Sequence, residues 1–213
     1  MPESTIPAYI TSLIRHFEDL RDGTHGGSAG RKDKEGHFER AVRLLAPIAR
    51  QVLTEMNSSL LLDTGKLTET GLQRTEDGGL NASWVLSWPE QRAARVQPIA
   101  LQAYFGGGYH HPHLRGTTVQ DWPLNVFSEE DAAAQLFILR AIASSDLHNL
   151  VYRADYQIIP AATANPAPLD GRNGLPYRRL IAEVDARFAV AQADRLSAAH
   201  SVIWRNGVKD GEV

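Results

Sequence analysis

TEDGGLNASWVLSW, residues 75–88, is the stretch that decides the fold class of this chain. From Leu80 to Trp88 a large or small apolar side chain recurs at every second position, which is the period of a β-strand with one buried face. The Asp-Gly-Gly that precedes this run has the composition of a tight turn. Residues 99–105 alternate in the same way. The two runs therefore predict antiparallel strands.

Helical patterns flank these strands on both sides. Residues 6–21 and residues 38–56 each carry apolar side chains at three- and four-residue spacing, which predicts an amphipathic helix in each range. Pro47 lies inside the second range, where the stripe continues beyond it, so we expect a kink rather than a helix end. Ser128, which is followed by acidic residues, predicts a helix start, and Pro176 predicts the start of a last helix.

This order of elements indicates an α+β fold. Alternation over residues 151–160 predicts one further strand, and we expect an antiparallel sheet of four to five strands with helices packed mainly on one face. The 213 residues are expected to form a single domain. Its parts are a helical region over 6–57, a sheet-and-helix region over 66–160, and a loop and helix over 161–203.

The composition excludes several classes of function. The chain is 43% hydrophobic and 22% charged, as expected of a globular protein, and its formal charge of -3 argues against nucleic acid as a partner. Because the N-terminus lacks a signal-peptide pattern and no stretch is long enough to span a membrane, we expect a cytoplasmic protein without a membrane partner. The chain has no cysteine, so any metal ion must be bound by nitrogen and oxygen ligands.

The most concentrated chemistry lies in GGGYHHPHLRG, residues 106–116, where three of the eight histidines fall within four positions. On a strand, His111 and His113 would point to the same face with their Cα atoms about 7 Å apart. Two imidazoles at that separation can bind one metal ion. Pro112 has no amide hydrogen for a sheet ladder, so we expect this segment at an accessible sheet edge.

The other ligands and the substrate contact must come from elsewhere in the sequence. His110 and His148 are the further metal-ligand candidates, and Asp121 is a candidate catalytic carboxylate. Arg115 is the second candidate catalytic residue, because a guanidinium can bind an anionic substrate group through two parallel hydrogen bonds. Additional donors for the remaining positions are Asp146, His25 and His37.

We therefore expect a metal-dependent enzyme that acts on a small, anionic molecule. Two histidines and a carboxylate would favour non-haem iron and oxygen chemistry, whereas three histidines and a water would favour zinc and hydrolysis or hydration. Three alternatives stay open. One is metal-free phosphoryl or nucleotidyl transfer, with His111 or His113 as the nucleophile and the loop of residues 26–32 holding phosphate. The second is a haem protein with a histidine ligand. The third is a non-catalytic module for binding or assembly, for example one that forms a homo-oligomer.

Overall fold

A computed structural model describes residues 6–164, and these residues form an α+β fold, as predicted. In chain order the elements are α1 (Ala8–Asp22), α2 (Arg31–Leu60), β1 (Lys66–Glu69), β2 (Gln73–Arg74), β3 (Leu80–Ser87), α3 (Pro89–Ala93), β4 (Ile99–Phe105), β5 (His113–Arg115), β6 (Trp122–Pro123), α4 (Glu129–Ala134), α5 (Leu136–Ala154) and α6 (Pro160–Thr163). A short 3-10 helix, Tyr156–Ile158, joins α5 to α6.

The strands form one antiparallel sheet in the order β1-β3-β4-β5-β6, and β2 also pairs with β3. The two runs of period-two alternation are its longest strands, and Trp84 in β3 lies opposite Leu101 in β4. Six strands are present in the described part of the chain instead of four or five. The difference arises because β2 and β6 have two residues each, too few to leave a periodic pattern.

The core lies between one face of the sheet and the two long helices, α2 and α5. Phe38 and Leu45 of α2 are fully buried against the same cluster as Leu101 of β4 and Leu139 of α5. Full burial of each such side chain stabilises the fold by about 1.5–3 kcal/mol. Pro47 does not end α2, which runs for 30 residues, because the apolar stripe continues to pack on both sides of it.

The strand predicted over residues 151–160 is wrong. The first four of these residues are the last turn of α5, and Asp155, with a positive φ of 86°, ends that helix. Tyr152 is exposed, whereas Ile158 and Ile159 are buried. The alternating pattern therefore covers the end of a helix and a separate 3-10 turn, which are not one extended strand.

The loop and helix predicted over 161–203 lie almost entirely outside the described residues, which end at residue 164. Residues 161–163 belong to the short helix α6. No helix within residues 6–164 combines the length and the apolar character needed to cross a membrane.

Candidate histidine site

The histidine segment enters the sheet as β5, between β4 and the short strand β6. His113 pairs with Tyr104 of β4 on one side and with Pro123 of β6 on the other. Because Leu114 is fully buried in the core, the side chains of His113 and Arg115 point to the opposite face of the sheet. The predicted accessible edge position is therefore wrong: β5 has a neighbour on each side, β6 is the edge strand, and Pro112 and His113 are buried.

Two basic residues of α2 fix the loop that precedes the histidines. Arg31 donates hydrogen bonds to the carbonyl oxygens of Phe105, Gly106 and Tyr109 at 3.0–3.2 Å, and its guanidinium lies 3.6 Å from the centre of the Phe105 ring. The buried Lys34 ammonium donates to the carbonyl oxygen of His110 at 3.1 Å. Because Arg31 already donates to three carbonyl oxygens, it does not serve as a phosphate-binding cation. The loop of residues 26–32 therefore has one cation fewer than the phosphate-binding alternative expects.

A third histidine, His16 of α1, completes a cluster that the sequence did not predict. The centre of its ring lies 4.3 Å from that of His111 and 6.5 Å from that of His113, and the latter two are 4.5 Å apart. His16 and His113 are each 9% exposed to solvent. We refer to His16, His111 and His113 as the histidine cluster.

Sequence reasoning missed His16 because α1 does not bury its apolar stripe. The buried positions of this helix include His16 and Asp19, whereas Phe17 is 60% exposed and Leu20 is 45% exposed. An amide-to-carbonyl hydrogen bond of 2.9 Å, from Asn125 Nδ2 to the Ser12 oxygen, holds the helix in this orientation. The available signal was the three-residue spacing of His16 and Asp19, which places two polar side chains on one helical face.

The hydrogen-bonding capacity of the cluster is unfilled. Each of the three rings has a buried Nδ1 atom without a hydrogen-bond partner among residues 6–164. A buried polar atom in that state costs about 1–3 kcal/mol. Three such atoms on neighbouring rings therefore lower the stability of the protein, and a ligand bound to them would remove this cost.

Burial also keeps the three rings neutral. Desolvation lowers the pKa of His16 and of His113, while the nearby carboxylates of Asp19 and Asp121 oppose the shift. Desolvation and the neighbouring His113 ring lower the pKa of His111 to about 4. The neutral imidazole is the form that binds a metal ion, so near neutral pH few protons would have to leave before binding.

The distances between the ring centres are compatible with one shared metal ion, but the orientations of the rings are not. Rings bound to one tetrahedral ion through bonds of about 2.0–2.1 Å have centres roughly 5 Å apart, which is close to the separations in the cluster. However, no group of three or more histidine, aspartate or glutamate side chains in the described part of the chain has metal-binding geometry as it stands. Metal binding at the cluster therefore requires the rings to turn about their side-chain torsions.

Three of the other candidate ligands, His110, His148 and Asp146, lie outside the cluster. His148 is exposed on α5, and His110 is exposed beside its own Lys34-bound carbonyl group. The carboxylate of Asp146 accepts hydrogen bonds from the amides of residues 117–119 and holds that turn against α5. The structure does not bring His148 or Asp146 to the three rings.

Asp121 and Arg115 adjoin the cluster through a single aromatic ring. Tyr104 stacks on His113 with ring centres 5.5 Å apart, and its hydroxyl donates a hydrogen bond to the Asp121 carboxylate. The Arg115 guanidinium lies 4.3 Å from the centre of the same tyrosine ring and donates to Gln102. Burial and the adjacent carboxylate of Asp121 raise the pKa of Tyr104, so its hydroxyl keeps its proton.

Comparison with protein-family models, with curated proteins and with solved structures gives no match to this chain. The functional argument therefore depends on the chemistry of the described side chains. Among these, the three neutral rings of the histidine cluster and their unfilled nitrogen atoms carry the most specific information.

Proposed function

We propose that the histidine cluster binds one divalent metal ion and that the protein is a metal-dependent enzyme. The observation that carries this proposal is the set of three buried Nδ1 atoms that have no partner within residues 6–164, on rings whose centres lie within 6.5 Å of each other. A metal ion bound to these rings would offset the cost of leaving their nitrogen atoms unfilled.

Zinc is the ion that this set of side chains favours. Three histidine ligands with an open fourth position are typical of catalytic zinc, whereas non-haem iron commonly takes two histidines and a carboxylate. The two carboxylates beside the cluster have other partners: Asp121 accepts from Tyr104 and is exposed, and Asp19 accepts from Thr24 and Gly26. Bound zinc would supply Lewis-acid activation for a hydrolysis or a hydration.

The surrounding side chains have supporting roles in this proposal. Tyr104 packs on the His113 ring and, through its bond to Asp121, limits how far that ring can turn. Arg115 lies on the other side of Tyr104 and would bind the anionic group of a small substrate. The net charge of -3 disfavours nucleic acid as a partner, so we propose a small molecule as the substrate and a cytoplasmic location for the reaction.

Titration of the full chain with zinc and with cobalt(II) tests the metal site directly. We expect saturable binding of one ion per chain, with the visible absorption of a tetrahedral site for cobalt. His16→Ala and His111→Ala should each weaken binding at least about tenfold, which is 1.4 kcal/mol. The matched control is His148→Ala, which removes an exposed histidine from a helix and should leave the affinity unchanged.

Equal affinities of His16→Ala and His148→Ala would overturn the proposal, and so would the absence of a saturable site in the unaltered protein. Circular dichroism of each variant separates loss of a ligand from loss of the fold. His16→Gln, which keeps a polar side chain on α1, provides a second variant if the alanine protein does not fold.

A further inference from the structure

The loop between α1 and α2 holds a second arrangement of reactive side chains. Its sequence, His25-Gly-Gly-Ser28, folds back on itself, because the backbones of His25 and Ser28 exchange hydrogen bonds of 2.9 and 3.1 Å. Asp19 holds the start of the loop, since its carboxylate accepts from the Thr24 hydroxyl at 2.7 Å and from the Gly26 amide at 3.2 Å. Ser28 is thereby held in a defined position before α2.

Ser28 is in hydrogen-bond contact with an imidazole. Its Oγ lies 3.0 Å from Nε2 of His37, which is on α2. The Phe127 ring packs edge-on against His37, with ring centres 5.7 Å apart, and so limits the orientation of the imidazole. A serine hydroxyl at this distance from an imidazole nitrogen has the geometry of a nucleophile and its general base.

His37 lines a cavity of about 550 Å³, a size suited to a small molecule. Gly26, Gly27 and the Phe127 ring also line this cavity, and Ser28 follows Gly27 directly in the chain. The remaining lining is mostly charged and of both signs: Arg15, Glu18, Asp19, Asp22, Arg40 and Asp131. A side chain at Gly26 would overlap the Phe127 ring, and the φ of 59° at this glycine also disfavours one. The next residue, Gly27, has open space at the position of a Cβ atom, so a ligand can approach the backbone closely beside Ser28.

A buried imidazole, that of His25, packs beside His37, and its Nδ1 atom lies 3.6 Å from the Asp19 carboxylate. His25 is 1% exposed, and neither of its ring nitrogens has a hydrogen-bond partner among the described residues. Its ring centre lies 6.3 Å from that of His37 and 4.9 Å from that of Phe127. Burial keeps His25 neutral by lowering its pKa to about 4.

We propose that Ser28 and His37 form a nucleophile–base pair that hydrolyses a small carboxylic ester bound in this cavity. Gly26-Gly27-Ser28-Ala29-Gly30 has the G-x-S-x-G spacing found around nucleophilic serines. Here the loop joins two helices instead of a strand and a helix, so the proposal rests on the hydrogen bond and the cavity. The amides of the first turn of α2 are the donors nearest in sequence for the developing oxyanion.

The reaction consists of two balanced steps. In the first, Ser28 Oγ forms a bond to the ester carbonyl carbon while its proton passes to His37 Nε2; the ester C–O bond breaks, and the proton passes on to the departing alcohol. In the second, a water oxygen attacks the acyl carbon and gives a proton to His37. The bond to Ser28 then breaks, Ser28 regains its proton, and a carboxylic acid leaves. No metal ion, oxidant or reductant takes part.

The test is to treat the full chain with a fluorophosphonate ester and to map the adduct by mass spectrometry. We expect one adduct, on Ser28, together with turnover of p-nitrophenyl acetate. His37→Gln should slow both reactions at least about 100-fold, the usual contribution of a general base. Ser58→Ala, which removes an exposed hydroxyl from α2, is the matched control and should react like the unaltered protein.

Two results would overturn this inference: no adduct on Ser28 of the unaltered protein, or equal rates for His37→Gln and Ser58→Ala. Adduct mapping on the unaltered chain does not depend on the folding of any variant. The same labelling in the presence of a chelator separates this site from the histidine cluster. Labelling should persist without metal, so failure of either proposal leaves the other testable.

Discussion

Asp146 and the histidine cluster both place ionisable side-chain atoms inside the protein. The carboxylate of Asp146 has hydrogen-bond partners for its oxygen atoms, whereas the rings of the cluster do not have partners for all their nitrogen atoms. The carboxylate of Asp146 is 0% exposed and accepts from the amides of Thr117, Thr118 and Val119 at 2.5, 2.6 and 3.2 Å, and from the Thr118 hydroxyl at 2.6 Å. The three rings of the cluster leave one nitrogen each without a partner among the described residues. A buried carboxylate with all its hydrogen bonds made indicates a structural role, whereas neighbouring buried nitrogens without partners indicate a place where a ligand can bind.

The sequence positions of the partners explain this difference. The donors to Asp146 come from one turn, so a single loop conformation satisfies the carboxylate. Gly116, which precedes this turn, allows the close approach of Asp146, because a Cβ atom at this position would overlap the Asp146 oxygens. The cluster instead combines a ring from α1 with the His113 ring of β5 and the His111 ring just before that strand. Their Nδ1 atoms have no hydrogen-bond partner within residues 6–164.

The largest expected effect comes from removing the filled carboxylate. Asp146→Ala leaves three backbone amides and a hydroxyl without an acceptor in the protein, and we expect the free energy of unfolding to fall by about 3–5 kcal/mol. Urea unfolding followed by circular dichroism measures the change. Ser144→Ala, at an exposed position of the same helix, should change stability by less than about 0.5 kcal/mol.

A loss below about 1 kcal/mol for Asp146→Ala would contradict the structural role assigned to this carboxylate. The comparison also predicts that metal affinity in Asp146→Asn, which keeps the shape of the side chain, equals that of the unaltered protein. A drop in metal affinity of that folded variant would return Asp146 to the set of possible ligands.

Acid should weaken the fold through the buried histidines. The pKa of His25 is lowered to about 4 by burial, whereas an unfolded histidine has a pKa of about 6.5. Between these values the unfolded chain binds more protons, so stability is present above pH 6.5 and is lost as the pH falls toward 4. From pH 7 to pH 5 we expect a loss of about 2 kcal/mol from His25, and His16, His111 and His113 shift in the same direction.

Urea unfolding at several pH values between 7 and 5 tests this expectation. Carboxylates with lowered pKa, such as Glu35 and Asp77, lose their contribution only below about pH 4.5, outside this range. His25→Gln should reduce the slope of stability against pH, and the exposed control His148→Gln should not. A flat profile for the unaltered protein would mean that the histidines are not buried in solution.

The sequence predicted the parts of this fold that repeat over many residues. Period-two alternation identified β3 and β4, and helical spacing identified α1 and α2. It did not predict β6, which is too short to show a period, and it assigned a strand to residues 151–160, where a helix end and a turn together imitate one.

The candidate site was predictable only where its members are neighbours in sequence. His111 and His113 lie two positions apart, and their rings are neighbours although His111 lies in the bend before β5 and only His113 belongs to the strand. His16 lies far away in the chain and reaches them through the orientation of α1, which buries polar residues and exposes an apolar stripe. Asp146 was a reasonable ligand by residue type, but its hydrogen bonds are set by a turn that contains no distinctive motif.

The smallest expected effect concerns the bond that orients α1. Asn125 is buried and donates to the Ser12 carbonyl oxygen at 2.9 Å, so Asn125→Ala should lower stability by about 1 kcal/mol. Because His16 then loses its fixed position, zinc affinity should fall several-fold. The control is Asn149→Ala, which removes a 2.8 Å bond to Thr118 beside Asp146 and should cost similar stability without changing zinc affinity. If both variants bind zinc equally well, the Asn125 bond does not position His16 for the metal ion.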